Sequence, residues 1–143
     1  MNAVQLMIET IDRLSETMRQ SMREYRENPD YQALFCLTIT QLHYLHSIKE
    51  HPSVTASELA ALFHVQKPTV TNILRRLIQQ GYVDRTQSGD DRRIFYLSLS
   101  PLGQQLLQLE NNGYAAFAQK SVQKLSATEQ QQLAHLLTKM TMS

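Results

Sequence analysis

Cysteine is nearly missing from this chain of 143 residues, occurring once, at Cys36. A single thiol excludes an intrachain disulfide and suits a reducing compartment. No apolar run approaches the roughly 18 residues of a membrane span. The N-terminus lacks a basic start with an apolar centre and carries Glu9 and Asp12 early, so no signal peptide is expected. These absences predict a cytoplasmic protein with no membrane attachment. Internal repeats, flexible linkers and low-complexity tracts are absent as well. So are a Gly-rich phosphate loop, an H-E-x-x-H and a G-x-S-x-G motif, and no spacing organises the scattered Ser, His and Asp residues into a triad. An enzyme is not expected, and neither is a cofactor or a resident metal.

Charge of one sign is lacking too. The net charge is +1, so the whole chain is not a polycation. Apolar residues make up 42%, enough to bury the core of one domain or one intertwined subunit, and the charge is too low for disorder. The distribution of charge is uneven. Residues 1–30 carry four Arg against six acids, and residues 31–63 carry one Lys against two. Residues 64–93 reverse this balance: Lys67, Arg75, Arg76, Arg85, Arg92 and Arg93 face only Asp84, Asp90 and Asp91. The positive excess is local, as a nucleic-acid reader requires.

That stretch lies within Thr55 to Gly103, around which the chain is organised. Thr55–Phe63 has the apolar spacing of a short helix, with Leu59, Leu62 and Phe63 on one face and Ala60 small enough for a close helix approach. His64-Val65 reads as a turn, with Val65 plugging the angle. Lys67–Gln80 reads as a second helix with Pro68 in its first turn and a buried stripe of Val70, Ile73, Leu74 and Leu77. Thr69, Thr71, Asn72, Arg75 and Arg76 fall largely off that stripe. Short polar side chains and guanidinium groups there suit a DNA groove, where Arg can bind guanine in a bidentate way. Gly81 ends the helix at a position that favours positive φ.

The period then changes. Tyr82–Arg85 reads as a strand, Gln87–Asp91 as a turn-rich tip, and Arg93–Leu99 alternates, with Phe95, Leu97 and Leu99 on one face. Two strands around a tip bearing Asp90, Asp91, Arg92 and Arg93 make a wing. Ser100-Pro101 restarts a helix.

The order ELA…V…PTVTNILRRLIQQGYVDR…DDRR…LSLSPLG resembles the MarR family of bacterial winged-helix transcription regulators, over almost the whole chain. The resemblance implies a mostly α fold: a winged helix-turn-helix whose long N- and C-terminal helices form an intertwined dimerisation layer. It implies a homodimeric, sequence-specific regulator of double-stranded DNA, a repressor, with a pseudo-palindromic operator. The DNA-binding residues would be Lys67, Pro68, Thr69, Thr71, Asn72, Arg75 and Arg76 on the helix and Arg85, Asp90, Arg92 and Arg93 on the wing. Arg92 would enter a minor groove, oriented by a salt bridge from Asp90, as the family's D-x-R pattern implies. Arg85 and Arg93 would touch phosphate, although Arg93 could instead pair with Asp84 across the strands. Gln66 stands where the family usually has a serine cap. Family members often bind a small aromatic or amphipathic effector between the two layers. By position, Tyr25, Phe35, His43, Tyr44 and Phe117 would line such a crevice.

The flanks fit three segments: 1–37 and 101–143 for dimerisation and 38–100 for DNA binding. Val4 to about Glu27 reads as a narrow-faced helix along Val4, Ile8, Ile11, Met18, Met22 and Tyr25, with Ser15 as a gap. Asn28-Pro29-Asp30 ends it, and Tyr31–Phe35 is an apolar connector. Thr38 and Gln41 form a capping box for Ile39–Glu50, and Ser126 with Glu129 another for the last helix, whose inner face is Leu133, Leu136, Leu137 and Met140. Ser53–Thr55 fits a brief third strand. Leu102–Val122 is a long helix along Leu102, Leu106, Leu109 and Phe117. Gly113 inside it predicts a bend or close packing.

Cys36 has apolar neighbours, which predicts burial rather than a redox role. His43, His46 and His51, with Glu24 and Cys36 upstream, could serve zinc, but nothing supplies a fuller ligand set. His64 and His135 read as fillers. A metal- or oxidant-sensing member of the same fold, and a winged helix that binds protein instead of DNA, are the alternatives.

Overall fold

The computed structural model describes residues 2–142. Its elements run α1 (Ala3–Arg26), α2 (Pro29–Phe35), α3 (Ile39–Glu50), α4 (Ala56–Leu62), α5 (Lys67–Gln79), β1 (Val83–Gln87), β2 (Phe95–Leu99), α6 (Pro101–Val122) and α7 (Ala127–Thr141). The chain divides into two compact units, Tyr25–Glu110 and, separately, Met1–Glu24 with Asn111–Ser143.

Local hydrogen bonding starts the helices where the sequence patterns place them. Thr38 and Gln41 close a reciprocal capping box at α3, and Ser126 and Glu129 do so at α7. Thr55 and Glu58 form a third, at α4, from a T-x-x-E spacing that is visible in the sequence. Each satisfies two N–H groups that a helix start leaves orphaned. The apolar connector Tyr31–Phe35 proves to be part of a helix. Asn28, which ends α1, also caps α2 by accepting the Asp30 N–H, and Pro29 sits at the first helical position.

The core of the Tyr25–Glu110 unit gathers Tyr44, Leu45 and Ile48 of α3, Leu59 of α4, Val70, Leu74 and Leu77 of α5, and Val83 and Leu97 of the strands. Leu34 and Leu37 join from before α3, and Leu106 and Leu107 from α6. On α4 the buried face is Leu59, flanked by the partly buried Ala56, Ala60 and Phe63, which follow the spacing of one helical stripe. The expected place for Leu62 on that face is corrected: it falls outside the stripe and is 48% exposed. Val65 likewise does not plug the turn but is exposed. The turn is made by His64 at φ +53 and by the Val65 N–H donating to the Ala60 carbonyl.

β1 and β2 pair antiparallel from Val83↔Leu99 to Gln87↔Phe95. The third strand reduces to one bridge, Val54↔Leu97, in which the Leu97 N–H donates to the Val54 carbonyl at 2.9 Å.

Between α5 and β1 the chain makes a Schellman turn. Gly81 has φ +80, its N–H donates to Ile78 O, and the Tyr82 N–H donates to Leu77 O. The start of α6 is clasped to this turn. The Ser100 N–H donates to Tyr82 O, its hydroxyl donates to Gly81 O, and that hydroxyl oxygen accepts the Gly103 N–H. The approach is close enough that a Cβ on Gly103 would lie 2.2 Å from the Tyr82 carbonyl oxygen. At Gly113, by contrast, a Cβ would meet nothing within 4 Å, so the close packing expected there is absent and α6 runs through that position unbroken.

In the other unit, α1 and α7 bury no residue fully. Val4, Ile8 and Ile11 of the expected α1 stripe are exposed, whereas Met18 and Met22 are half-buried. On α7 only Leu133 of the expected inner face is partly covered, and Leu136, Leu137 and Met140 are exposed.

The two α6 glycines make a paired prediction. Gly103→Ala drives a methyl into a backbone carbonyl and should destabilise the fold by about 1–3 kcal/mol, as overpacking does. Gly113→Ala, with open space and a better helix former, should be neutral or stabilise by up to about 1 kcal/mol. Urea denaturation of the two variants checks both signs.

Candidate nucleic-acid interface

α5 presents its polar face because its apolar one is fully used. Val70, Leu74 and Leu77 are buried, while Lys67, Pro68, Thr69, Thr71, Asn72, Arg75 and Arg76 are all exposed. Pro68 lies in the first turn, and Gln66 makes no side-chain cap, in keeping with the weak capping power of glutamine. Two side chains are held along the helix: the Thr71 hydroxyl donates to the Lys67 carbonyl, and Arg75 donates to Asn72 Oδ1 at 3.3 Å.

The wing is built on Ser88, which is buried. Its hydroxyl oxygen accepts the N–H groups of both Asp90 and Asp91, and its own N–H donates to Ile94 O. This turn fixes Asp91 so that Oδ1 accepts the Arg93 N–H at 2.9 Å. The Arg93 guanidinium then grips the same carboxylate in a bidentate way, at 3.1 and 3.0 Å. The sequence Asp-Asp-Arg-Arg contains two overlapping D-x-R patterns, and the pair that forms is Asp91–Arg93. Among the described residues Asp90 does not pair with Arg92, which corrects that expectation. Of the two alternatives for Arg93, the pairing with Asp84 does not form, because its guanidinium is on Asp91. Arg92 makes no ion pair among the described residues, and its carbonyl accepts from the Gln87 side chain. Arg93 remains 89% exposed although paired: it is held and still presented. The Arg93 guanidinium holds the Asp91 carboxyl below its ordinary pKa. On the inner face of the hairpin, the Arg85 guanidinium lies 3.9 Å from the centre of the Phe95 ring.

Helix and wing meet across a cleft of about 650 Å³. Its floor is apolar, from Leu74, Ile78, Phe95 and Leu97, and its rim carries Lys67, Thr71, Arg75, Arg85 and Arg93. The carboxylate there, Glu58, is already engaged by the Thr55 N–H at 2.8 Å. Thr69, Asn72 and Arg76 form a neighbouring exposed row of α5 outside the cleft, and Asp90 and Arg92 stand at the wing tip. A trough rimmed by cations beside a row of exposed donors can take up a phosphate backbone and read base edges.

A sequence model of the MarR family matches residues 37–95. The transcriptional repressor MdtR of Bacillus subtilis is 33% identical over 104 residues, which cover 73% of this chain and 67% of that protein. The solved structure of the YusO protein from Bacillus subtilis is 30% identical, with a TM-score of 0.72 over 98% of this chain and 97% of that one. The chain belongs to the MarR family. Its fold is also that of Streptococcus pneumoniae FabT, solved in complex with DNA, with a TM-score of 0.69 at 22% identity over 97% and 94% of the two chains. MarR relatives are named as transcriptional regulators, not enzymes, in line with the missing catalytic motifs.

The five residues suggested for a MarR effector crevice are placed differently from one another. Tyr44 belongs to the core: it is 2% exposed and stacks on Phe63, with ring centres 4.3 Å apart and planes 3° from parallel. Its burial raises the phenol pKa. Tyr25 packs on Tyr31, Phe35 lies under the Arg26 guanidinium, and His43 is exposed. Phe117 is half-buried in the other unit. The histidines are not gathered. His46 Nε2 lies 2.7 Å from Glu110, tying α3 to α6, while His51 Nδ1 lies 3.0 Å from the Ser47 carbonyl oxygen. Among the described residues no three His, Cys, Asp or Glu side chains are placed to hold a metal. Cys36 is exposed, not buried as expected. Leu34 and Leu37 take the inward positions on either side of it.

The wing pair has a defined pH response. The folded Asp91 pKa lies below the unfolded value, so the pair contributes fully above the ordinary carboxylate range. Its contribution is lost as pH falls through the lowered folded value. Carboxyl-detected NMR titration should find Asp91 below its ordinary pKa and moved back toward it, though not all the way, in Arg93→Ala, which loses the guanidinium but keeps the backbone N–H on Oδ1. An unshifted Asp91 in the native protein would contradict the pairing.

Proposed function

We propose that the protein is a homodimeric, sequence-specific DNA-binding repressor of transcription that responds to a small aromatic or amphipathic ligand. The observation that carries the DNA reading is the cleft, where Lys67 and Arg75 from the helix and Arg85 and Arg93 from the wing converge with one engaged carboxylate among them. Phosphate contacts through these cations would supply most of the affinity, and Thr69, Thr71, Asn72 and Arg76 would address base edges in the major groove. Arg93, held by Asp91, and Arg92 at the wing tip would face an adjacent minor groove or its phosphates.

The homodimer reading is supported by the apolar surface of the flanking helices. Val4, Ile8 and Ile11 of α1 and Leu136, Leu137 and Met140 of α7 are exposed in the single chain, more than a soluble monomer leaves open on two helices. A two-fold pair of recognition helices would enter successive major grooves about 34 Å apart on a pseudo-palindromic operator. The repressor reading draws on relatives named as repressors. The ligand would act by favouring a dimer with a different spacing of its recognition helices. Tyr25, Phe35 and His43 remain its candidate contacts within the Tyr25–Glu110 unit, since Tyr44 is committed to the core.

Purified protein should enrich an inverted repeat from fragments of its own genome and sediment as a dimer. A folded, dimeric protein that enriches no fragment would favour the protein-binding alternative. A stable monomer would overturn the dimer.

A further inference from the structure

We propose that Phe95 is a positioning residue of the DNA interface, its ring holding the Arg85 guanidinium in the pose in which it meets a phosphate. The inference rests on the DNA-binding reading above. The Arg85 guanidinium carbon lies 3.9 Å from the Phe95 ring centre, well inside the range over which a ring face attracts a cation. Arg85 pairs with Leu97 and Gln87 with Phe95, so Arg85 and Phe95 are diagonal neighbours on one face of the hairpin. Both line the cleft that also holds Lys67, Arg75 and Arg93.

Phe95 has no comparable role in packing. The core takes Leu97 and, at its edge, Leu99 from the same strand, and Phe95 is outside that cluster and only half-buried. Arg85 makes no ion pair among the described residues, so the ring is what holds it. The two wing arginines are thus organised in different ways. Asp91 grips Arg93 through the N–H edge that a phosphate would use, so the phosphate must compete with the carboxylate. A ring uses the flat face of a guanidinium and leaves its N–H edge and its full charge available. Phe95 orients Arg85 without neutralising it.

The test uses the full-length protein and a mixed-sequence DNA duplex, which reads phosphate contacts whatever the operator. Phe95→Leu should weaken binding about fivefold, in line with a partly exposed cation–π contact, and Phe95→Tyr should restore it. In an Arg85→Ala background Phe95→Leu should cost nothing further. If Phe95→Leu lowers the melting temperature, Phe95→Met, which also lacks a ring face, replaces it in the same cycle. Equal costs in both backgrounds would overturn the positioning role while leaving DNA binding intact, as would an Arg85→Ala variant that binds normally. A wild-type protein that does not bind the duplex at low salt would overturn the DNA reading, and this inference with it.

Discussion

Everything in the cleft depends on the clasp between the Gly81-Tyr82 turn and the start of α6. The Gly81 and Tyr82 carbonyls are leftovers of a helix ending and a strand beginning. Unpaired in a half-buried place, each would cost free energy comparable to a lost hydrogen bond. Ser100 answers both, through its hydroxyl and its N–H, and passes the connection on to Gly103. The base of the hairpin is thereby anchored to the C-terminal end of α5. The geometry at this junction of hairpin and helix is held by hydrogen bonds from the Ser100 hydroxyl and N–H to the turn, together with the positive φ of Gly81. Only glycine at position 103 lets α6 approach Tyr82 this closely.

From that anchor the hairpin runs out toward solvent with few buried side chains, so its order must come from elsewhere. Val54 lends a single bridge to Leu97 near its middle. Ser88 gathers the tip. Arg85 and Arg93 are then held by a ring and by a carboxylate, short-range devices that need no core. An exposed pair such as Asp91–Arg93 adds little to global stability. Its effect is to limit where one guanidinium can be, and that restriction lowers the entropy to be lost when a polyanion binds.

The features legible in the sequence are those decided within a few residues. The stripe of Val70, Leu74 and Leu77, the capping boxes of α3 and α7, and the stop at Gly81 depend on helical spacing or on hydrogen bonds reaching three to five positions. The alternation of Phe95, Leu97 and Leu99 sets one face of β2 in the same way. The misplaced features required knowledge of a neighbour. Leu62 looks as apolar as Leu59, but only one of them shares a stripe with Ala56, Ala60 and Phe63. Tyr44, by position a candidate for the effector crevice, belongs to the core once Phe63 is stacked on it. The tip shows the limit most clearly: Asp-Asp-Arg-Arg offers the same pairing twice, one residue apart, and the Ser88 turn chooses between them. Of the candidate interface, Lys67, Thr71 and Arg75 form one row of α5 and Thr69, Asn72 and Arg76 another, a division that helical spacing already contains, whereas the meeting of the first row with Arg85 and Arg93 at one cleft depends on how the hairpin packs.

The central claim is that the cationic cleft between helix and wing binds DNA phosphate. The most direct measurement is the slope of log affinity against log salt concentration for duplex DNA, in the native protein and in variants lacking Arg75, Arg85 or Arg93. The account predicts a slope of several units, close to −0.9 per phosphate neutralised, that shrinks by about one unit for each cation removed from a protomer. A flat salt dependence, or a steep one that none of the three substitutions alters, would contradict it.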